Sequence, residues 1–101
     1  MWVFLSDAFL SIVAHRDRPD DLMVRARLPG DLERALPGYP VDVTPRADYR
    51  YRAVVPRAVV AQALADYAAS IQYDNFKNSV TDEARHRAYV SVWSAMHRAQ
   101  A

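Results

Sequence analysis

The chain has 101 residues, 51% apolar and 25% charged, with no cysteine and a formal net charge of +1 with histidine neutral. That length and balance describe a single folded domain around one core, far from the polar, highly charged composition of disorder. The missing cysteine excludes disulfide frameworks, thiolate zinc sites and cysteine nucleophiles, and it is compatible with a reducing cytoplasm. A near-neutral total gives no long-range attraction to nucleic acid or to an anionic membrane, so such a function needs a local patch.

The opening stretch MWVFLSDAFLSIVAH lacks a basic start, carries Asp7 mid-run and is too short to span a bilayer, so it reads as folded structure. Trp2 to Leu5 and Ala8 to His15 are rich in aromatic and branched residues on either side of Ser6-Asp7, the pattern of a hairpin with a tight turn. After the polar run RDRPDD, Leu22 to Arg27 alternates, with Leu22, Val24 and Ala26 on one face and Met23, Arg25 and Arg27 on the other. The segment PGDLERALPG predicts a short helix with Asp31 as N-cap and Leu32, Ala35 and Leu36 as its apolar stripe.

Val41 to Val43 predicts a brief edge strand. Tyr49 to Val55 alternates again, setting Tyr49, Tyr51, Ala53 and Val55 opposite Arg50, Arg52 and Val54. Pro56 suits the first turn of a helix in which Val60, Leu64, Tyr67 and Ile71 recur at helical spacing, flanked by Val59, Ala63 and Ala68. The last helix is expected to start near Thr81 as its cap, with Asp82 and Glu83 against the positive end of the dipole, and with Ala84, Ala88, Tyr89, Val92, Trp93 and Met96 as its buried side. The order β-β-β-α-β-β-α-α favours an α+β fold, a mainly antiparallel sheet of four or five strands with helices packed on one face. Its strand–strand–helix–strand section is similar to part of a ferredoxin-like unit.

Several chemistries fall away. Two glycines, Gly30 and Gly38, cannot supply a dinucleotide fingerprint or a P-loop. The three histidines show no metal-binding spacing. His86 and His97 share a helix face about 16 Å apart, and Asp82 with His86 reads as an exposed helical pair lacking a third ligand. No G-x-S-x-G elbow surrounds a serine, and Asp20-Asp21 and Asp82-Glu83 read as turn-forming and dipole-pairing acids. No cofactor and no metal are expected, and the protein reads as non-catalytic. An enzyme would have to assemble its site from Asp48, Tyr49, Arg52 and His86 without a motif.

Two surfaces remain. Arg25, Arg27, Arg50 and Arg52 fall on the strand face away from the core, where they form either a phosphate or nucleic-acid surface or a solvated face paired with Asp17, Asp20, Asp21 or Glu33. Tyr49 and Tyr51 have the opposite parity, which leaves bases little to stack on. The joint YDNFKNSV, Tyr73 to Val80, holds the only lysine of the chain. Asp74 is placed to cap a turn through Asn75, Phe76 and Lys77, while Tyr73 and Phe76 fold down as anchors. Asn75, Lys77 and Asn78 around a partly exposed Tyr73 or Phe76 would make a protein-binding hot spot.

Taken together, MWVFLSDAFLSIVAH, LMVRAR, DYRYRAVVPR, YDNFKNSV and YVSVW resemble a group of short hypothetical proteins of about this length, encoded in GC-rich bacterial genomes and some of their phages. The resemblance runs over nearly the whole chain in the order of its segments, and the group has no assigned activity. It implies a cytoplasmic accessory protein, carried by mobile elements, that acts by occupying a surface on a host protein such as a component of defence machinery. Another protein is therefore the expected partner, through the joint or an exposed helix face. Nucleic acid is the alternative, no membrane is expected, and a homodimer through an edge strand or the Trp93 face stays open.

Overall fold

The computed structural model describes residues 1–101, which form two compact units, Met1–Ile71 and Gln72–Ala101. The first unit holds β1 (Trp2–Leu5), β2 (Ala8–Ala14), β3 (Asp21–Ala26), α1 (Asp31–Ala35), β4 (Asp42–Val43), β5 (Tyr51–Pro56) and α2 (Arg57–Ala69). The second holds a 3-10 turn, Lys77–Ser79, and α3 (Glu83–Gln100). No helix is long and apolar enough to cross a membrane.

The first unit is an α+β fold whose five strands run in the order β1-β2-β3-β5-β4, with every neighbouring pair antiparallel. Register follows from the period-two pattern, because a slip of one residue would turn every apolar side chain to the wrong face. Ile12, Val24 and Ala53 lie in one row across β2, β3 and β5, and all three are buried. Leu32, Ala35 and Leu36 around α1 and Val60 of α2 close the core from this side. Both helices of the unit thus pack on the same sheet face. The hairpin between β1 and β2 turns at Ser6-Asp7, pairing Leu5 with Ala8 as expected.

Three details of this unit differ from the expectation. Asp31 is not the cap of α1. Gly30 occupies the N-cap with φ 88°, a left-handed conformation that glycine adopts without a Cβ penalty. Asp31, 1% exposed, instead turns its carboxylate inward, where Oδ2 accepts from the Phe9 amide at 3.0 Å and Oδ1 from Arg34 Nη2 at 2.6 Å. The helix is thereby tied to the β1–β2 hairpin. Pro56 closes β5 opposite Asp21 and caps α2, which begins at Arg57, whose amide donates to the Asp20 carbonyl at 2.8 Å. Finally α2 ends at Ala69, so Ile71 leaves the helix and is exposed, as is Ala68. The Ser70 amide instead bonds back to the Asp66 and Tyr67 carbonyls, the tight closure of a last turn.

In the second unit the cap also moves by one. Asp82, not Thr81, is the N-cap of α3, and its Oδ2 accepts from the Arg85 amide at 2.9 Å. The larger correction concerns the face of the helix. Only Arg85 and Tyr89 are buried along α3, whereas Ala84, Ala88, Val92, Trp93 and Met96 are exposed. Helical periodicity marks an apolar side on a helix, and it leaves open what covers that side.

Candidate interaction surfaces

The face of the sheet opposite α1 and α2 follows from register. Trp2 pairs with Ser11, Ser11 with Arg25, Arg25 with Arg52 and Arg52 with Asp42, so one row of side chains crosses all five strands. At the β1–β2 end Phe4 and Phe9 join the row, their rings 4.7 Å apart, and Trp2 meets Phe9 edge-on at 6.3 Å. Trp2 remains 67% exposed. The aromatic part of this face is not among the sequence expectations, which follow the charges. Extending the alternation of Trp2, Phe4, Phe9 and Ser11 through the hairpin would have found it.

The arginines divide by role. Arg25 Nη2 donates to the buried Ser11 hydroxyl at 2.7 Å, while its buried Nε has no acceptor. Tyr49, expected on the core side, lies instead among the arginines: the Arg25 and Arg27 guanidiniums sit 4.5 Å and 4.2 Å from its ring centroid. Residues 47–49 form a bend ahead of β5, and outside a strand the alternation no longer dictates direction. The ring is buried at 4% exposure. Such cation–π contacts stabilise by about 0.5–2 kcal/mol each.

Arg27 also donates to the Asp48 carbonyl at 2.8 Å, and Arg52 to the Tyr49 carbonyl at 3.3 Å, with the Asp48 carboxylate 3.6 Å from Arg52 Nη2. The acid beside these arginines is therefore Asp48; of the acids considered earlier, Asp21 pairs with Arg18. Arg50 precedes β5, is exposed and stands apart from this knot.

In the joint, Asn75 and not Asp74 shapes the turn, its Oδ1 accepting from the Asn78 amide at 3.4 Å. The Ser79 hydroxyl and amide both donate to the Phe76 carbonyl, at 2.6 Å and 2.9 Å. Phe76 stacks on buried Tyr89 at 5.7 Å, and Tyr73 leans on Phe76 at 5.6 Å while staying exposed. The two anchors therefore differ. Phe76 holds the turn to α3, and Tyr73 is the outer ring. Lys77 reaches over Trp93, its Nζ 5.0 Å from the ring centroid, and His97 stacks on the same indole at 5.0 Å with the planes 11° apart. Asn78 borders an open polar hollow with Thr81, Glu83 and His86.

Tyr89, Val92, Trp93 and Met96 recur at i, i+3, i+4 and i+7, and the last three are 38%, 50% and 66% exposed. No acid follows Glu83 on α3, whereas Arg85, Arg87 and Arg98 do. Arg85 is buried, Arg87 pairs with Glu83 at 3.3 Å, and Arg87 and Arg98 fall on the far side of the helix, so the cation beside the exposed stripe is Lys77 over Trp93.

Little points to a small-molecule site. A groove of about 640 Å³ runs between α1 and α2 over Leu36, Tyr39, Val59 and Ala63. Its polar groups are paired internally: Arg34 with Asp31, Gln62 with Asp66, and the Tyr67 hydroxyl with the Ala35 carbonyl. Burial, with a smaller contribution from the Asp7 charge, pushes the Tyr67 phenol above its ordinary pKa. No group of three or more histidines and acids gathers at one place, and the Asp82 carboxylate of the suspected Asp82–His86 pair is engaged in capping. Asp48, Tyr49 and Arg52 do meet, but as the packed knot above, and His86 belongs to α3 in the other unit.

Neither a family model, nor a curated protein, nor a solved structure matches the chain.

Proposed function

We propose that the protein is a small, non-catalytic protein-binding protein that docks α3 into an apolar, acid-rimmed groove on another protein. The observation that carries this reading is the exposure of Val92, Trp93 and Met96, which continue at i+3, i+4 and i+7 from buried Tyr89. That spacing is how an amphipathic helix engages a groove. Trp93 is the central anchor, already ordered between Lys77 and His97, so little side-chain entropy is lost when it docks.

Lys77 beside Trp93 favours an acidic group at the rim of that groove by charge complementarity. The joint contributes Lys77 and exposed Tyr73 to the same surface, with Asn75 and Asn78 shaping the turn that presents them. An accessory or inhibitor-like role in the cytoplasm, occupying a surface on a host or defence protein, belongs to the same proposal and rests on the resemblance to the bacterial and phage group.

The test is affinity capture from bacterial lysate on wild-type protein, on Trp93→Ala/Met96→Ala and on Arg52→Ala, with circular dichroism confirming each fold. A protein held by wild type and by Arg52→Ala, retained about tenfold less or worse by the α3 double variant and released by raising salt, is the expected result. Equal retention by all three would sink the reading.

A further inference from the structure

The sheet face of the first unit has a chemistry of its own. Aromatic groups collect at its β1–β2 end, with Trp2 leading outward, and guanidinium groups collect toward β5. Across the sheet, Trp2 of β1 and Arg52 of β5 are three strand spacings apart in one row, about 14 Å. We infer that this face binds single-stranded nucleic acid, with bases stacking on Trp2 and Phe9 and phosphates meeting Arg27 and Arg52.

The argument is one of complementary parts. Single strands are held where flat aromatic rings take bases and a nearby basic track takes the backbone, and an antiparallel sheet with its helices behind presents both on one plane. Trp2 offers most of its indole to solvent and is steadied at its edge by Phe9. Tyr49 is unavailable for stacking because two guanidiniums cover it, and Arg25 is committed to Ser11 and to that ring. The phosphate role therefore falls on Arg52 and on Arg27, which is exposed although it too flanks Tyr49 and donates to the Asp48 carbonyl. Arg52 donates to the Tyr49 carbonyl and is loosely held by the Asp48 carboxylate at 3.6 Å, a contact a phosphate can replace. Against these stand two acids at this end of the face, Asp42 and Asp48. The track is basic only locally, consistent with a total charge of only +1 and with binding that is modest and salt-sensitive.

A protein partner fits this face less well. The centre of the row is Ser11, Arg25 and Arg52, whereas protein interfaces concentrate apolar groups at their centre. A duplex fits less well again, since its bases are already stacked and paired and leave Trp2 nothing to engage.

The indole of Trp2 is itself the probe. In a Trp93→Phe background it is the only tryptophan left, so its fluorescence can be followed while oligo-dT, oligo-dA, the matching duplex and heparin are added at low and moderate salt. The expected result is saturable quenching by the single strands, about tenfold weaker binding in Trp2→Ala when read by anisotropy of a labelled oligonucleotide, and a salt slope of about −1.4 that flattens by about 0.7 on Arg52→Ala. Binding that is absent at low salt overturns the inference, as does duplex or heparin binding equal to single-strand binding with Trp2→Ala unchanged. The α3 double variant should leave this binding intact, so this inference and the protein-binding proposal stand or fall separately.

Discussion

The two units use apolar periodicity for opposite ends. In the first, alternation along β2, β3 and β5 and the stripes of α1 and α2 meet one another, and Ile12, Val24, Leu32, Val55 and Val60 are buried together. In the second, α3 carries as regular a stripe, and Val92, Trp93 and Met96 stay in water. The same pattern is a core in one place and an exposed stripe in the other. What decides between them is the presence of a facing element, which period alone does not encode.

That contrast can be broken by substitution, and the largest effect should come from the first unit. Leu32→Ala removes a side chain that is 1% exposed and is expected to lower the unfolding free energy by about 2–5 kcal/mol in a denaturant titration. A cost below about 1 kcal/mol would mean that α1 does not close the core. Gly30→Ala comes next, at about 1–2 kcal/mol, because φ 88° is unfavourable for any residue with a Cβ. The added methyl would also lie 2.7 Å from Arg34 Nη1, so the Arg34–Asp31 pair should loosen with it.

In the second unit, Asp82→Ala removes the cap of α3 and should cost about 1 kcal/mol, read as lost helicity near Glu83 to Arg87, while Thr81→Ala should do little. Tyr67→Phe sharpens the first unit more gently, by about 0.5 kcal/mol at neutral pH for a single long hydrogen bond to Ala35. The native phenol titrates above its ordinary value, so the unfolded chain ionises first. Wild-type stability should therefore fall as pH rises from about 10 through the native value, and the gap to Tyr67→Phe should narrow there. The smallest stability effect belongs to Met96→Ala, within about 0.5 kcal/mol, since the side chain is two-thirds exposed. A cost of several kcal/mol there would make α3 a core helix after all.

Much of the fold was legible because strands with one charged face leave little choice. Met23, Arg25 and Arg27 opposite Leu22, Val24 and Ala26 admit one orientation, and the antiparallel order follows from short connections. What was not legible lies at the ends of elements. Tyr49 sits in a bend, where parity lapses, and there it joined the arginines instead of the core. Asp31 looked like a cap because aspartate before an apolar stripe usually is one, but Gly30 could take the left-handed turn and released Asp31 to bond the hairpin.

The joint misled in the same way, since either Asp74 or Asn75 could supply the oxygen that shapes the turn, and spacing does not choose between them. Of the suspected residues there, Lys77 keeps its place through Trp93, a partner sixteen positions away that only folding brings near. The exposure of α3 was invisible for the reason already given: an amphipathic sequence records which side avoids water and not what it meets.

The most direct measurement is acrylamide quenching of Trp93 alone, in a Trp2→Phe background, with and without the purified partner captured through α3. The expected result is ready quenching of the free protein, in keeping with an indole 50% exposed, and strong protection once the partner is bound. An indole already shielded in the free protein, or one whose quenching the partner leaves unchanged, would contradict the assignment of α3 as the docking surface.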